Sequence, residues 1–228
     1  MENGRYKYEI HCHTAETSRC GKVPGAQAVE IFRSRGYDGV VITDHYSQHT
    51  FMGAEAFRAG RLHEKYLAGY RAAKEAAGDD FTVLLGMELR SFNSAIDYLV
   101  YGVTEEFVET AGNLLFKYAR RFHRIARENG MLVIAPHPMR MHPLMPAARY
   151  IDGCEIFNSK ESDENNARAL FWAEKHNLGI RTSGSDFHRT THEFFSGILT
   201  EEKITCNEDL IRILRSGEFE PVLRSADG

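Results

Sequence analysis

The chain has 228 residues, with 28 Lys and Arg against 32 Asp and Glu for a formal net charge of −4, and is 43% hydrophobic and 26% charged. Those fractions suit a globular protein and exclude a disordered, collagen-like or coiled-coil chain; the length fits one compact domain, residues 1–228, with a sizeable core. No apolar run approaches the roughly 18 residues of a membrane helix, and a mildly acidic chain without a long Lys/Arg block is not expected to bind duplex nucleic acid.

The opening Met1-Glu2-Asn3-Gly4-Arg5 has no apolar signal core behind it, so a cytoplasmic location is expected. Cys12, Cys20, Cys154 and Cys206 form no CxxC pair, which argues against a zinc ribbon and gives no disulfide framework. Eleven histidines in one such domain call for an explanation.

Short apolar runs alternate with stretches of helical period. Tyr6–His11 reads as a strand, Ala26–Arg35 as a helix closed by Gly36, and Asp38–Thr43 as a strand. A long helix is predicted over Glu55–Ala77, ended by Gly78, then strands near Phe81–Met87 and Asp97–Val103. A second long helix is predicted from Ala111 to Glu128, with Leu115, Tyr118, Phe122 and Ile125 as its apolar stripe. Strands at Met131–Ala135 and Gly153–Phe157, a helix over Asn165–His176, strands near Gly179–Ser183 and Ser196–Leu199, and a last helix after Asn207 complete the pass. Such alternation favours an α/β barrel or a doubly wound sheet. A full eightfold barrel takes about 250 residues, so a reduced or distorted barrel fits better; no GxGxxG or GxxxxGK[ST] loop supports a nucleotide-binding sheet.

Residues with metal-ligand chemistry lie at the predicted strand ends. His11 and His13 are two apart, so strand alternation sends both to one face and Cys12 to the other; alone the pair is equally consistent with two surface histidines. Asp44 and His45 end the second strand on opposite faces, and Asp44 is expected to orient an imidazole from behind. Glu88, His137 and Glu155 close later strands, and Asp186 and His188, again two apart, close another. In parallel barrels such ends converge on one mouth. Five histidines and three carboxylates gathered there would repel or go unsatisfied without metal ions.

In this order the motifs His11-Cys12-His13-Thr14, Thr43-Asp44-His45, Gly86-Met87-Glu88, Pro136-His137-Pro138 and Ser185-Asp186-Phe187-His188 resemble those of the polymerase-and-histidinol-phosphatase (PHP) domain, over residues 6 to about 200. The resemblance implies a distorted (β/α)7 barrel with two or three divalent ions and hydrolysis of phosphate esters. It implies one ion held by His11, His13, Glu88 and Asp186, and a second sharing Glu88 and adding His137 and Glu155. A third would take His45, His188 and a residue of the loop after the first strand. There the family's usual Asp or His falls on Cys20. A thiolate suits zinc but is a poor ligand for manganese or magnesium, which leaves open a zinc-preferring site, a weak one, service by Glu16 instead, or Cys20 as a small packing residue.

Imidazole with carboxylate ligation suits zinc, manganese or iron. Two such ions activate a shared water, so a metal-bridging hydroxide is the expected nucleophile, with Glu88 as the bridging ligand and Asp186 or a neighbouring His as proton relay. A small phosphorylated substrate also needs cations at the mouth: Arg140 first, Lys160 second and Arg189 third, with His142 and His192 weaker candidates. The expected activity is a phosphatase of the histidinol-phosphatase or nucleotide-monoester type. Rival readings are a 3'-5' exonuclease, which requires a basic, aromatic-lined groove, a non-catalytic metal-binding domain, and an amidohydrolase.

Overall fold

A computed structural model describes residues 4–52 and 61–225. The first half runs β1 (Tyr6–Cys12), α1 (Gly25–Ser34), β2 (Gly39–Ile42), β3 (His45–Tyr46), α2 (Gln48–Phe51), α3 (Leu62–Ala77), β4 (Thr82–Leu85), β5 (Met87–Arg90) and β6 (Asp97–Tyr101). The second half runs α4 (Glu105–Thr110), α5 (Ala119–Glu128), β7 (Leu132–Ala135), β8 (Gly153–Asn158), α6 (Asp163–Lys175), β9 (Ile180–Gly184), β10 (Phe195–Thr200), α7 (Asn207–Ser216) and β11 (Phe219–Ser225). Residues 53–60, among them positions 55–60 of the predicted long helix, lie outside the described residues.

The ladders divide these strands between a five-stranded sheet, β11-β10-β1-β2-β4, and a six-stranded sheet, β3-β5-β6-β7-β8-β9. Pairing is parallel for β1/β2, β2/β4, β3/β5, β7/β8 and β8/β9. It is antiparallel where β6 sits between β5 and β7 and where β10 pairs with β1 and β11. Two junctions join the sheets. At Gly86 the chain passes from β4 to β5, with Gly86 N donating to Ile42 O (2.8 Å) and Glu88 N to Asp44 O (3.0 Å). On the other side Cys12 bridges Phe187 in parallel, through His13 N to Phe187 O (3.0 Å) and Phe187 N to His11 O (3.1 Å). The ends of β1, β2, β4 and β9 are thereby held side by side.

Helices cover the outer faces because their apolar residues recur on one side. On α7 Leu210, Ile211, Ile213 and Leu214 are buried against Tyr8, Ile10 and Tyr101, each side chain stabilising by about 1.5–3 kcal/mol. Phe122 and Ala126 of α5 enter the core with Met87, Leu89 and Val133. Tyr66 on α3 donates to Asp44 O (3.1 Å) and Gly86 O (2.9 Å), tying the helix to the first sheet junction.

Three sequence expectations change. The helix predicted over Ala111–Glu128 is broken. Thr104 caps α4 through Phe107 N (3.1 Å), Gly112 turns at φ +67°, and Asn113 opens a 3-10 turn over Leu114–Phe116 before α5 begins. The strand predicted over Phe81–Met87 is two strands parted at Gly86. A final strand, β11, was not anticipated; Pro221 interrupts its pattern, and proline is tolerated there because β11 is an edge.

Gly69 of α3 passes so close to the Thr14–Asp44 hydrogen bonds that an added Cβ would overlap Thr14 Oγ1 and lie 2.7 Å from Asp44 Oδ2. Gly69→Ala should therefore lower stability by about 1–3 kcal/mol. Urea unfolding should show a lower midpoint with an unchanged slope.

Candidate metal centre

β1 sends Glu9, His11 and His13 inward, all fully buried. His45 comes from β3, Glu88 from β5, His137 from the turn after β7, and Asp186 and His188 from the segment after β9. Glu88 is the hub: Oε1 lies 3.0 Å from His137 Nε2, and Oε2 lies 3.0 Å from His45 Nδ1, 3.3 Å from His13 Nε2 and 3.7 Å from His11 Nε2. Asp186 Oδ1 faces His13 Nε2 (3.3 Å) and His11 Nε2 (3.5 Å). Ligand atoms within 4.8 Å of one another fall into the sets His11, Glu88 and His137; His11, His13 and Asp186; and His13, His45 and His188. A further set with Asp97 is discounted, because Arg90 engages both Asp97 oxygens (2.6 and 2.5 Å).

His11 Nε2, His13 Nε2 and Glu88 Oε2 are buried with no hydrogen-bond partner. Each such atom costs about 1–3 kcal/mol, and all three converge on the same small volume. A divalent cation is the group whose chemistry satisfies two imidazole lone pairs and a carboxylate oxygen at once. The residues present therefore fit metal ions.

Behind the cluster a second layer sets its tautomers. His11 Nδ1 donates to Glu155 Oε1 (2.8 Å), which leaves Nε2 as the lone pair facing Glu88 and Asp186. Glu155 Oε2 accepts from His137 N (2.9 Å) and Asn158 Nδ2 (3.1 Å). Both Glu155 oxygens are thus engaged behind His11 and at the backbone of His137, so in this arrangement Glu155 orients the imidazole of His11. Gly184 makes room for this pair: a Cβ there would lie 2.5 Å from Glu155 Oε1 and 2.6 Å from His11 Cβ. Asp44 acts through an intermediary, accepting from Thr14 N (2.7 Å), Thr14 Oγ1 (2.5 Å) and Ser18 Oγ (2.6 Å). Ser18 Oγ then meets His13 Nδ1 (3.4 Å) and His45 N (2.9 Å).

Sequence reasoning missed Glu9, which accepts from His11 N (2.6 Å) and Ser185 N (3.1 Å) and whose carboxyl burial pushes up to about 7 against those bonds. Extending the alternation of His11 and His13 back by two residues would have found it. Ser18 had no comparable signal.

Burial opposes charge on His11, His13, His45, Glu88 and Asp186. Against it, His45, then His11 and His137, hold the Glu88 carboxyl well below the usual range. His11, His13 and Arg140 do the same for Asp186. Glu155 and Asp186 raise His11 well above an ordinary imidazole, and Glu88 raises His45, while burial and the charges of His188 and His45 push His13 well down. His137 (φ 28°) and Asp186 (φ 52°) both hold left-handed backbone, which side-chain-bearing residues rarely adopt; strain of that kind concentrates at functional sites.

Cys20 lies on the exposed rim with Sγ 3.1 Å from His188 Nε2; burial raises its thiol, but hydrogen bonds to His188 and His45 bring it down to about 6. Glu16 is elsewhere: its carboxylate accepts from Gly25 N (3.0 Å) at the start of α1, so it is not available to the cluster. Arg140 donates to Asp186 Oδ2 (2.8 Å) and Glu161 Oε1 (2.6 Å). Lys160 Nζ lies 3.3 Å from Asp186 Oδ2 and 3.2 Å from His188 Nδ1. Arg189 is exposed, and His192 packs edge-on against Phe187 and Phe195.

No protein-family model matches the chain, and no curated protein is similar to it in sequence. Its fold does match solved structures. A two-domain protein from Bacteroides vulgatus, described as containing a predicted PHP-like metal-dependent phosphoesterase, superposes with TM-score 0.72 at 14% identity. The match covers 97% of this chain and 66% of that one, so this chain spans less than two thirds of that protein's length. A candidate metal-dependent phosphoesterase from Bifidobacterium adolescentis gives TM-score 0.55 at 17% identity, covering 92% and 96% of the two chains. An amidohydrolase from Chromobacterium violaceum, solved with sulfate and no metal, gives 0.54 at 13%, covering 95% and 98%. The fold is that of the PHP-like metal-dependent phosphoesterases, a mixed α/β architecture of two parallel-rich sheets.

Glu155→Gln exchanges one acceptor oxygen for an NH2. In one orientation it faces the donors His137 N and Asn158 Nδ2, in the other the His11 Nδ1 proton. Affinity for zinc or manganese, measured by competition with a chromogenic chelator, should fall about 10–100-fold. Unchanged affinity would show that Glu155 does not orient His11.

Proposed function

We propose that this chain is a PHP-family phosphoesterase that hydrolyses a phosphate ester of a small metabolite with the help of two or three divalent ions, zinc, manganese or iron. The observation that carries this reading is the convergence of three unpartnered buried atoms, His11 Nε2, His13 Nε2 and Glu88 Oε2, beneath the cations Arg140 and Lys160. The two sheets, joined at Gly86 and at the Cys12–Phe187 bridge, are read as the parts of a distorted seven-stranded barrel within one cytoplasmic domain, residues 1–228.

Roles follow from position. His11, His13, Glu88 and Asp186 would hold one ion, Glu88 with His137 a second, and His45, His188 and Cys20 a third. Bound there, the ions lower the pKa of water and polarise the phosphoryl group. Arg140, kept charged by Asp186 and Glu161 despite its burial, is aimed by those carboxylates at the cluster and supplies a planar fork for phosphoryl oxygens. Asp186 is held ionised, so it orients and neutralises rather than giving up a proton. Lys160 Nζ, between Asp186 and His188, is the group placed to deliver a proton to a departing oxygen. Glu155 and Ser18 keep the imidazole lone pairs pointed inward.

Metal analysis of the purified protein, combined with phosphate release from a panel of monoesters that includes histidinol phosphate and nucleoside monophosphates, tests this. At least two ions per chain are expected, with turnover that falls by about a hundredfold or more in Asp186→Asn and His137→Ala. Fewer than two ions and no release above those controls would reject it. The amidohydrolase of the same fold favours a second reading, so amide and lactone substrates belong in the panel; turnover of those alone would move the assignment there.

A further inference from the structure

A groove of about 990 Å³ runs along the outer face of α5, apart from the buried cluster. Arg120, Arg124 and Arg127 follow one another at four- and three-residue spacing, which places them in one stripe rising about 10 Å along the helix. Arg121 and Arg149 join the lining, and Glu128 is the one carboxylate in it. Among the described residues Arg120, Arg121 and Arg127 form no ion pair, and Arg124 reaches only Glu128, at 3.8 Å. A chain of net charge −4 therefore gathers five guanidinium groups around one groove.

Aromatic rings line the groove beside these cations. Phe116 and Tyr118 are 53% and 56% exposed, so neither ring serves the core. The Arg149 guanidinium lies over the Tyr150 ring at 4.8 Å from its centroid. At the upper end Phe116 packs against Phe92 (5.5 Å between centroids) and the Tyr118 hydroxyl donates to Phe92 O (3.2 Å), which brings the groove to the segment just after β5, the strand that carries Glu88.

We infer that this groove binds a single-stranded nucleic acid, its phosphates on the Arg120, Arg124 and Arg127 stripe and its bases against Tyr118, Phe116 and Tyr150. Guanidinium groups match phosphate oxygens two at a time. The exposed rings of Phe116 and Tyr118 beside them supply stacking surface that every base can use, whereas a duplex hides its base faces. Whole-chain charge argues against nucleic acid, but binding depends on the local field, which here is positive. The inference does not rest on the phosphoesterase reading, since none of these residues belongs to the metal cluster.

Fluorescence anisotropy of the full chain with a labelled phosphorothioate oligothymidylate of about twelve nucleotides tests it, with duplex DNA, inorganic tripolyphosphate and anionic phospholipid vesicles as comparison arms. Saturable binding is expected, with log K falling against log salt at a slope of about −2 to −3 for three or four phosphates engaged. The triple variant R120E/R124E/R127E should bind at least about tenfold more weakly, and Tyr118→Ala about 5- to 100-fold. Any hydrolysis of a small monoester should be unaltered in both, which separates this result from the fate of the metal-centre assignment. Absence of saturable binding, equal binding by the triple variant, or preference for duplex or vesicles would overturn the inference. So would tripolyphosphate competing as well as the oligonucleotide while Tyr118→Ala has no effect, because the groove would then be a simple anion patch.

Discussion

A buried carboxylate sets the terms for much of this molecule. Glu88 is 1% exposed, and in such surroundings an isolated carboxyl group gives up its charge rather than lose its hydration. It stays ionised because imidazoles approach it from His11, His13, His45 and His137. Those side chains come from the ends of β1, β3 and β7, so the requirement becomes one on backbone: several strand ends must meet within a few ångströms. The junction at Gly86 and the Cys12–Phe187 bridge accomplish this, and the left-handed backbone of His137 and Asp186 brings in the last two groups.

Cations are organised in two contrasting ways. Arg140 and Lys160 are tied to Asp186 at the cluster, their positions determined by acids already present. Among the described residues, Arg120, Arg121 and Arg127 of α5 have no such tie and Arg124 reaches only Glu128, on a helix whose other side is anchored by Phe122 and Ala126. The first pair is preorganised around one point. The second group forms a track whose charge is open to whatever lies across it.

Much of the cluster was legible because ligand chemistry needs uncommon residue types at strand ends, and alternation says which of them share a face. His11 with His13 and Asp186 with His188 could be paired by counting alone. What alternation does not distinguish is whether an inward carboxylate meets a ligand or the back of an imidazole, and Glu155 falls on the second side of that line. Spacing also could not choose between Cys20 and Glu16; the structure takes Glu16 elsewhere, its oxygens accepting from Gly25 N at a helix start. In the fold, the stripe from Leu115 to Phe122 kept helical period across a real break, since the 3-10 turn over Leu114–Phe116 ends at Lys117 before α5 starts at Ala119, without disturbing which residues are apolar. The arginine groove was hidden by averaging: net charge sums over the surface and is blind to clustering.

The bridge between Cys12 and Phe187 joins the first strand to a segment near the other end of the chain. Contacts of that sequence separation form late, after the entropy of closing a very long loop has been met. His11 and His13 are made early in synthesis, whereas Asp186 and His188 emerge only once most of the polypeptide exists. The cluster is therefore a product of completed folding: a ribosome-bound fragment ending before β9 has four of the five imidazoles but lacks His188 and the closing carboxylate of Asp186. An ion held by His11, His13 and Asp186 would tie the first strand to the segment after β9 and so stabilise the whole tertiary structure by binding only the folded chain.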